Sequence, residues 1–276
     1  MRSTSRNPVV ILALGAVLAS GLTAQQASQS ADFKSLPRRF LADEREIWTS
    51  PFRAKNYDSR TVRKYIVPFI LVSAALIATD RITGDLLPNT HDQAVWSGRV
   101  SQFGSAAALA GAGGVTYLIG RLGGNDHLRE TGLLGLEAMG HTQIVVFGLK
   151  QITNRERPLD HDGHGSFWEG GNSFPSGHAS SSFALATVFA YEYSDHIAVP
   201  ITAYSLAGLI SASRLSARRH WVSDIVVGGS LGFLLGRFTY RRNHNPQLPG
   251  TKVRHSEHLT PQVGISGGSF DLAWHW

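Results

Sequence analysis

The sequence predicts an all-α fold: a bundle of about six core helices, with a short β-hairpin near the C-terminal end. Two observations carry the prediction. Six apolar segments, at 65–79, 100–120, 131–149, 179–193, 197–213 and 225–238, are each bounded by charge or by Gly/Pro. Few of them alternate as a half-buried strand must, so they read as helices packed on one another. At 276 residues the chain is long enough to bury a sizeable core, and nothing in it marks a second full domain.

The elements follow in order. Arg2 and Arg6 precede the uncharged run "VVILALGAVLASGLTA", the pattern of an export signal at 1–24 with a cut expected after Ala24. An uncleaved membrane anchor is the rival reading of the same run. Either way the folded part is expected outside a bacterial inner membrane, at its outer face or in the periplasm. Residues 25–64 are polar and mixed in charge, with "LPRRFLADEREIW" forming one amphipathic helix. Leu36, Phe40, Leu41, Ile47 and Trp48 share one side of it, which suits a membrane surface or the flank of the domain itself. The helical domain proper is expected over 65–240. Within it "GAGG" at 111–114 has neither a preceding strand nor a following Lys-Ser/Thr, so it reads as small residues for close helix packing. Glu137 and His141, one turn apart in an apolar segment, are expected to face the bundle interior or each other. In the tail, 241–276, "VGISGGSFDLAWHW" alternates around Gly-Gly and predicts a hairpin that lies as a flap on the bundle.

Composition narrows the function classes. Twenty-six basic against twenty acidic residues give +6 with neutral histidines, an excess that suits anionic substrates or lipid head groups. It is not arranged as a nucleic-acid-binding arm, and no nucleic acid partner is expected. There are no cysteines, which excludes disulfides, thiolate metal ligands and a thiol nucleophile. A membrane span needs roughly 20 apolar residues. By that measure 100–120 qualifies, 197–213 is marginal and 225–236 is short. A signal peptide, six spans and an external 150–178 loop cannot all hold together, so an embedded and a peripheral bundle both stay open.

Three charged patches interrupt the apolar pattern. "KQITNRERP" sets Lys150 and Arg157 close to two helical turns apart, which predicts that both cations project from one helix face, with Pro158 ending the helix. "GGNSFPSGHASSSF" runs through Pro175, Ser176, Gly177 and His178 into an apolar helix. A helix N-terminus leaves free N–H groups that bind oxyanions, and His178 beside them can give or take a proton. "SASRLSARRHWVSD" places His220 and Asp224 one turn apart, so that the carboxylate can fix the imidazole tautomer, and adds Arg214. Cations for non-bridging oxygens, a helix N-terminus, a free histidine and a carboxylate-backed one are together the parts for phosphoryl transfer without a metal or other cofactor.

In order, "K150-x6-RP", "PSGH" at 175–178 and "SR-x5-H-x3-D" at 213–224 resemble the three signature motifs of the type 2 phosphatidic acid phosphatase and vanadium haloperoxidase superfamily. The likeness covers the motif core 150–224 and, through the helix pattern, about 65–240. The resemblance implies His220 as nucleophile, forming a phosphohistidine, and Asp224 as the residue that orients it. His178 would protonate the leaving group and then activate water. Lys150, Arg157 and Arg214 would hold the phosphate oxygens, joined by Ser176 and the Gly177 amide. The expected activity is a metal-independent phosphatase of phosphomonoesters or diphosphates. Membrane lipids such as phosphatidic acid, phosphatidylglycerol phosphate or an isoprenyl diphosphate are the first substrates to expect. The alternatives are a soluble periplasmic acid phosphatase acting on small phosphate esters, a vanadate-dependent haloperoxidase and a non-catalytic lipid-phosphate binder. Arg218 and Arg219 are extra charges that read either as a rim for head groups or as solvated helix-end charges. "DHDGHG" at 160–165 could bind a metal but matches no specific site spacing and reads equally as a polar lid.

Overall fold

A computed structural model describes residues 35–53, 56–88, 90–160 and 164–248, and the backbone of 262–266 and 269–273. The expected export signal therefore lies outside the described residues. All six apolar segments are helical. The helices are α1 (Leu36–Thr49), α2 (Val67–Leu86, with helical turns leading in from Ser59), α3 (His91–Gln102), α4 (Ala106–Leu122), α5 (Asp126–Thr153), α6 (Gly177–Glu192), α7 (Ala198–Ser216) and α8 (Val222–Asn243). Beyond them, β1 (Gln262–Ser266) and β2 (Ser269–Ala273) pair antiparallel, with Val263 opposite Leu272. The residues joining this pair to the bundle lie outside the described ones, and with them the expected docking as a flap.

Segment 100–120 is not one helix. The chain turns at Phe103–Ser105, where Ser105 is extended and its hydroxyl accepts the Ala108 N–H to start α4 afresh. Gly104 sits in that turn with no room for a side chain: a Cβ there would collide with Ile210 and press on the His178 ring.

Small residues set how closely the bundle closes. Gly228, Gly232 and Gly236, one turn apart along α8, lie against Ser176, Ser180, Ala184 and Thr187 of the α6 segment, and a methyl at Gly232 would overlap the Ser180 carbonyl. The partners ascend together, so α6 and α8 run parallel and their first turns lie side by side. Gly113, Gly120 and Gly132 seat α4 against α5 in the same way. Of the glycines in "GAGG" only Gly113 does this; Gly111 and Gly114 face open space. Leu133, Leu134, Ala138, Ala184 and Val188 fill one part of the core, and Val145, Val146, Leu149, Leu231, Leu235 and Phe238 another.

The helix α1 packs on the flank of the domain, one of its two expected placements: Leu36 lies against the core, Phe40 stacks on the His141 ring at 4.2 Å, and Ile47 is buried. Its buried side carries Arg39, Asp43 and Ile47, whereas Leu41 is 70% exposed. Arg39 grips Glu137 at 2.9 and 2.6 Å, and Glu44 accepts from His141 Nδ1 at 2.6 Å. Glu137 and His141 thus face inward as expected but pair with α1, not with each other. Buried charges need partners, and beside those apolar contacts α1 meets the charges of α5 with Arg39 and Glu44, leaving Leu41 outward.

Among the described residues, four stretches are long and apolar enough to cross a membrane: Ser59–Leu86, His91–Leu122 with its turn at Phe103–Ser105, Asp126–Thr153 and Val222–Asn243. The first two are mostly unburied by the rest of the chain, and Leu71, Val72, Ile82, Val115, Leu118 and Ile119 face outward. Apolar faces of that extent suit lipid, and the chain is a membrane protein. The final apolar segment, short in the sequence, qualifies because its helix continues to Asn243.

Candidate active site

The three motifs converge where the first turns of α6 and α8 meet the ends of α5 and α7. The α5 helix stops at Thr153 because Asn154 takes a left-handed C-cap conformation (φ 41°, ψ 44°), four residues before Pro158. Lys150 and Arg157 therefore do not share a helix face. They come together through Asn172: Lys150 Nζ donates to its carbonyl and Arg157 Nε to its Oδ1 at 2.8 Å.

Ser176 is the N-cap of α6 and is buried; its Oγ accepts the Ala179 N–H at 3.5 Å and its own N–H donates to the Asp224 carbonyl at 3.0 Å. No acceptor is found among the described residues for the Gly177 and His178 amides, the first free donors of the helix. A Cβ at Gly177 would meet only ordinary contacts, so glycine here keeps the amide approachable and is not demanded by packing.

His220 and Asp224 do not lie one turn apart on a helix. The α8 helix starts at Val222, and Asp224 in its first turn accepts the Trp221 N–H at 2.9 Å, the capping half-bond of a residue at N3. His220 precedes the helix and is buried. Its Nδ1 lies 2.8 Å from the Ser173 carbonyl and 3.5 Å from Asp224 Oδ2. A carbonyl can only accept, so Nδ1 carries the proton and Nε2 keeps its lone pair. The backbone of Ser173 thus sets the tautomer, and Asp224 stands behind it as a negative charge.

Arg214 Nη1 donates to Ser101 Oγ of α3 at 2.5 Å. Burial, then Arg157 and Arg219, push the Arg214 guanidinium down to about 10. Burial pushes His178 down to about 4, with Arg214, His220, Arg157 and Lys150 adding to it. Burial likewise pushes His220 down to about 4, although Asp224 pulls it up. Crowded cations and two neutral imidazoles make a pocket short of negative charge, which a phosphate dianion supplies.

Arg218 and Arg219 part company. Arg218 takes a positive φ of 51° and donates from Nη2 to the Gly84 carbonyl at 3.1 Å, so it belongs to the α2 contact and not to a rim. Arg219 is exposed, and its charge bears on both Arg157 and Arg214. In "DHDGHG", residues 161–163 lie outside the described ones, and Asp160 accepts the Arg157 N–H.

Sequence reasoning missed four residues that hold the site. Asn172 and Ser173 supply the acceptors just named. Arg155, buried within the first motif, donates from Nη1 to Asp224 Oδ1 at 2.6 Å and from Nη2 to Asp80 Oδ2 at 2.8 Å. Asp80, on α2, stands at the charged end of the apolar segment 65–79, next to Arg81, and nothing in the sequence singles it out.

Comparison with known proteins bears on this arrangement. The PAP2 superfamily matches residues 132–247. The lipid A 1-phosphatase of Porphyromonas gingivalis is 39% identical over 70 residues, which cover 25% of this chain and 16% of that protein. Phosphatidylglycerophosphatase B of Bacillus subtilis is 34% identical over 112 residues, covering 38% of this chain and 54% of that one. The chain therefore spans about half, or less, of the length of these relatives. A crystal structure of a transmembrane PAP2 type phosphatidylglycerolphosphate phosphatase from Bacillus subtilis covers 63% of this chain and 92% of its own, at 24% identity and a TM-score of 0.47. The matched segment contains all three motifs and the helices that bring them together, so the part of the chain that carries the site, residues 132–247, is similar to the PAP2 superfamily.

Proposed function

We propose that the protein is a membrane-embedded phosphatase that hydrolyses lipid phosphomonoesters or diphosphates without a metal, through a phosphohistidine on His220. One observation carries the reading: Lys150 and Arg214 bear on a histidine whose Nδ1 proton is held by a backbone carbonyl, leaving Nε2 as a nucleophile, and with Arg157 they bear on His178 as well. The named activities of the two relatives, on lipid A and phosphatidylglycerophosphate, support a phosphorylated lipid as substrate. So does a site framed by helices with outward apolar faces.

The steps follow from the geometry. Lys150, Arg157 and Arg214 neutralise the non-bridging oxygens, with the Gly177 amide, as the phosphoryl group becomes planar. The Nε2 lone pair forms the P–N bond while the bond from phosphorus to the leaving oxygen breaks, its electron pair staying on that oxygen. His178, neutral in the free site, takes up a proton as the bound dianion raises its basicity, and supplies that proton to the leaving oxygen. His178 then takes a proton from water as the water oxygen attacks phosphorus, and the P–N electrons return to His220. Asp224 balances the positive imidazole between the two steps. The Ser176 hydroxyl, turned to its own helix, serves by shaping the first turn of α6. Placement of the site at the outer face of the membrane is part of the same proposal and rests on the export-type N-terminal sequence.

The test is hydrolysis by purified protein in mixed micelles containing phosphatidic acid, phosphatidylglycerol phosphate or an isoprenyl diphosphate, with EDTA throughout. Phosphate release from at least one lipid, lost in His220→Ala, is expected. Loss of all activity in EDTA with recovery on added metal contradicts the metal-free mechanism.

A further inference from the structure

The groups behind His220 form a sealed charge set that the three motifs do not explain. Arg155, Asp80 and Asp224 are 1%, 2% and 0% exposed. The Arg155 fork spans both carboxylates, its Nη1 also meets Ser223 Oγ at 2.7 Å, and its Nε donates to the Gly165 carbonyl at 3.1 Å. Its plane lies over the rings of Phe167 and Trp221, at 4.7 and 5.6 Å from their centroids. Asp80 also accepts the Ser223 N–H at 3.0 Å and the Ser223 hydroxyl, so it caps α8 from a different helix. Asp80 lies outside the residues that the family matches.

Two carboxylates and one guanidinium leave one negative charge in excess. A buried pair built for stability alone needs only one carboxylate for its arginine, and an uncompensated buried charge is costly. The charge that completes this set is a cationic His220, the form that exists once Nε2 is bonded to phosphorus. With Asp80 absent, Arg155 would cancel Asp224 and leave nothing for the imidazole. With Arg155 absent, Asp224 would bear on His220 unshared and be free to turn away.

We propose that Asp80 and Arg155 are positioning residues for the nucleophilic histidine: Arg155 aims the Asp224 carboxylate at His220, and Asp80 holds Arg155 while restoring the negative charge the intermediate needs. This rests on the reading of His220 as nucleophile. Besides Asp224, the groups that bear on His220 are Lys150 from α5 and Arg214 from α7, both cationic, and the titratable His178 from α6, all left in place by the test.

The experiment compares wild type, Asp80→Asn, Arg155→Gln and Arg155→Lys in micelles, by pH profile of kcat/KM on the lipid that wild type hydrolyses and by direct NMR titration of the His220 ring. The two charge-removing variants are expected to shift His220 in opposite directions, Asp80→Asn down and Arg155→Gln up, each by about one pH unit. Both should lower kcat by roughly 10- to 100-fold with KM changed less than threefold. Arg155→Lys, which keeps the charge but cannot span both carboxylates, should return the pH limb towards wild type and recover kcat only in part. His220 titrating as in wild type in all the variants, or moving the same way in both charge-removing ones, overturns the proposal. If either of those fails to fold, Arg155→Lys decides by its kcat loss at unchanged KM. An inactive wild type whose ring still shifts in opposite directions refutes the functional reading and leaves the positioning role standing.

Discussion

At the scale of single residues, burial holds His220 and His178 at about 4, so both are neutral in the free site; in the proposed reaction His220 is thereby ready to attack, and His178 gains its proton as the dianion binds. The sign follows for His220: attack needs its unprotonated Nε2, so kcat/KM should fall about tenfold per unit as pH drops below about 4. A pH–rate profile of the purified protein checks this; an acid limb near 6.5 would mean that His220 is not desolvated as described. Replacing His220 by Ala should cost on the order of 10⁴-fold or more in kcat, and replacing His178 by Ala roughly 10²- to 10⁴-fold, read in the same assay. The motif residues were legible one by one because each type has few uses in such a place: an acid near a histidine, a cation near a helix end. Arg155 was not, since nothing in "NRERP" says which arginine turns inward. Nor was the Ser173 carbonyl, a backbone group that no side-chain pattern encodes.

Individual helices are defined by small residues and by pairs of buried charges. Lengthening the glycine at 232 of α8 to Val would drive a branched side chain into the Ser180 carbonyl of α6, separating the two first turns that form the site. We expect Gly232→Val to lose fold stability by about 1–3 kcal/mol or more and to lose activity, measured by thermal unfolding and by hydrolysis. Arg39→Leu should strand Glu137 at the α1–α5 contact and cost about 3–5 kcal/mol. At the other end of the bundle, His244 lies 3.3 Å from Glu192 and 3.4 Å from Glu130, tying the end of α8 to α5 and α6. Burial lowers His244, but these carboxylates outweigh it and raise it from 6.5 to about 9. The stability this contributes is fully present below about 6.5 and is lost as pH rises through about 9. The melting temperature should fall across that window, and His244→Gln should flatten the fall. Helix positions were readable from apolar periodicity, and so was the inward packing of Leu36, Phe40 and Ile47 of α1. The buried Arg39 and Asp43 beside them were not, because their partners, Glu137 and Asn243, lie on other helices. The break at Phe103–Ser105 was missed because an apolar run carries no mark of a turn except Gly104.

At the scale of the whole molecule, a bundle with lipid-suited faces carries the proposed phosphate site where helices α6 and α8 begin, within the residues that match the PAP2 superfamily. The fold class was visible in the spacing of apolar segments. The charge set behind the nucleophile was not, because it joins residues 80, 155 and 224, three places that only the closed bundle makes neighbours. All of this bears on one claim, that His220 Nε2 carries the phosphoryl group during turnover. The most direct test is to mix the protein with phosphate-labelled lipid, quench in alkali within the first turnover and map the label by mass spectrometry. The account predicts phosphate on Nε2 of His220, accumulating in a His178→Ala variant and absent in Asp80-intact His220→Ala. Full turnover with no label on His220 at any time, or label on another residue, would contradict it.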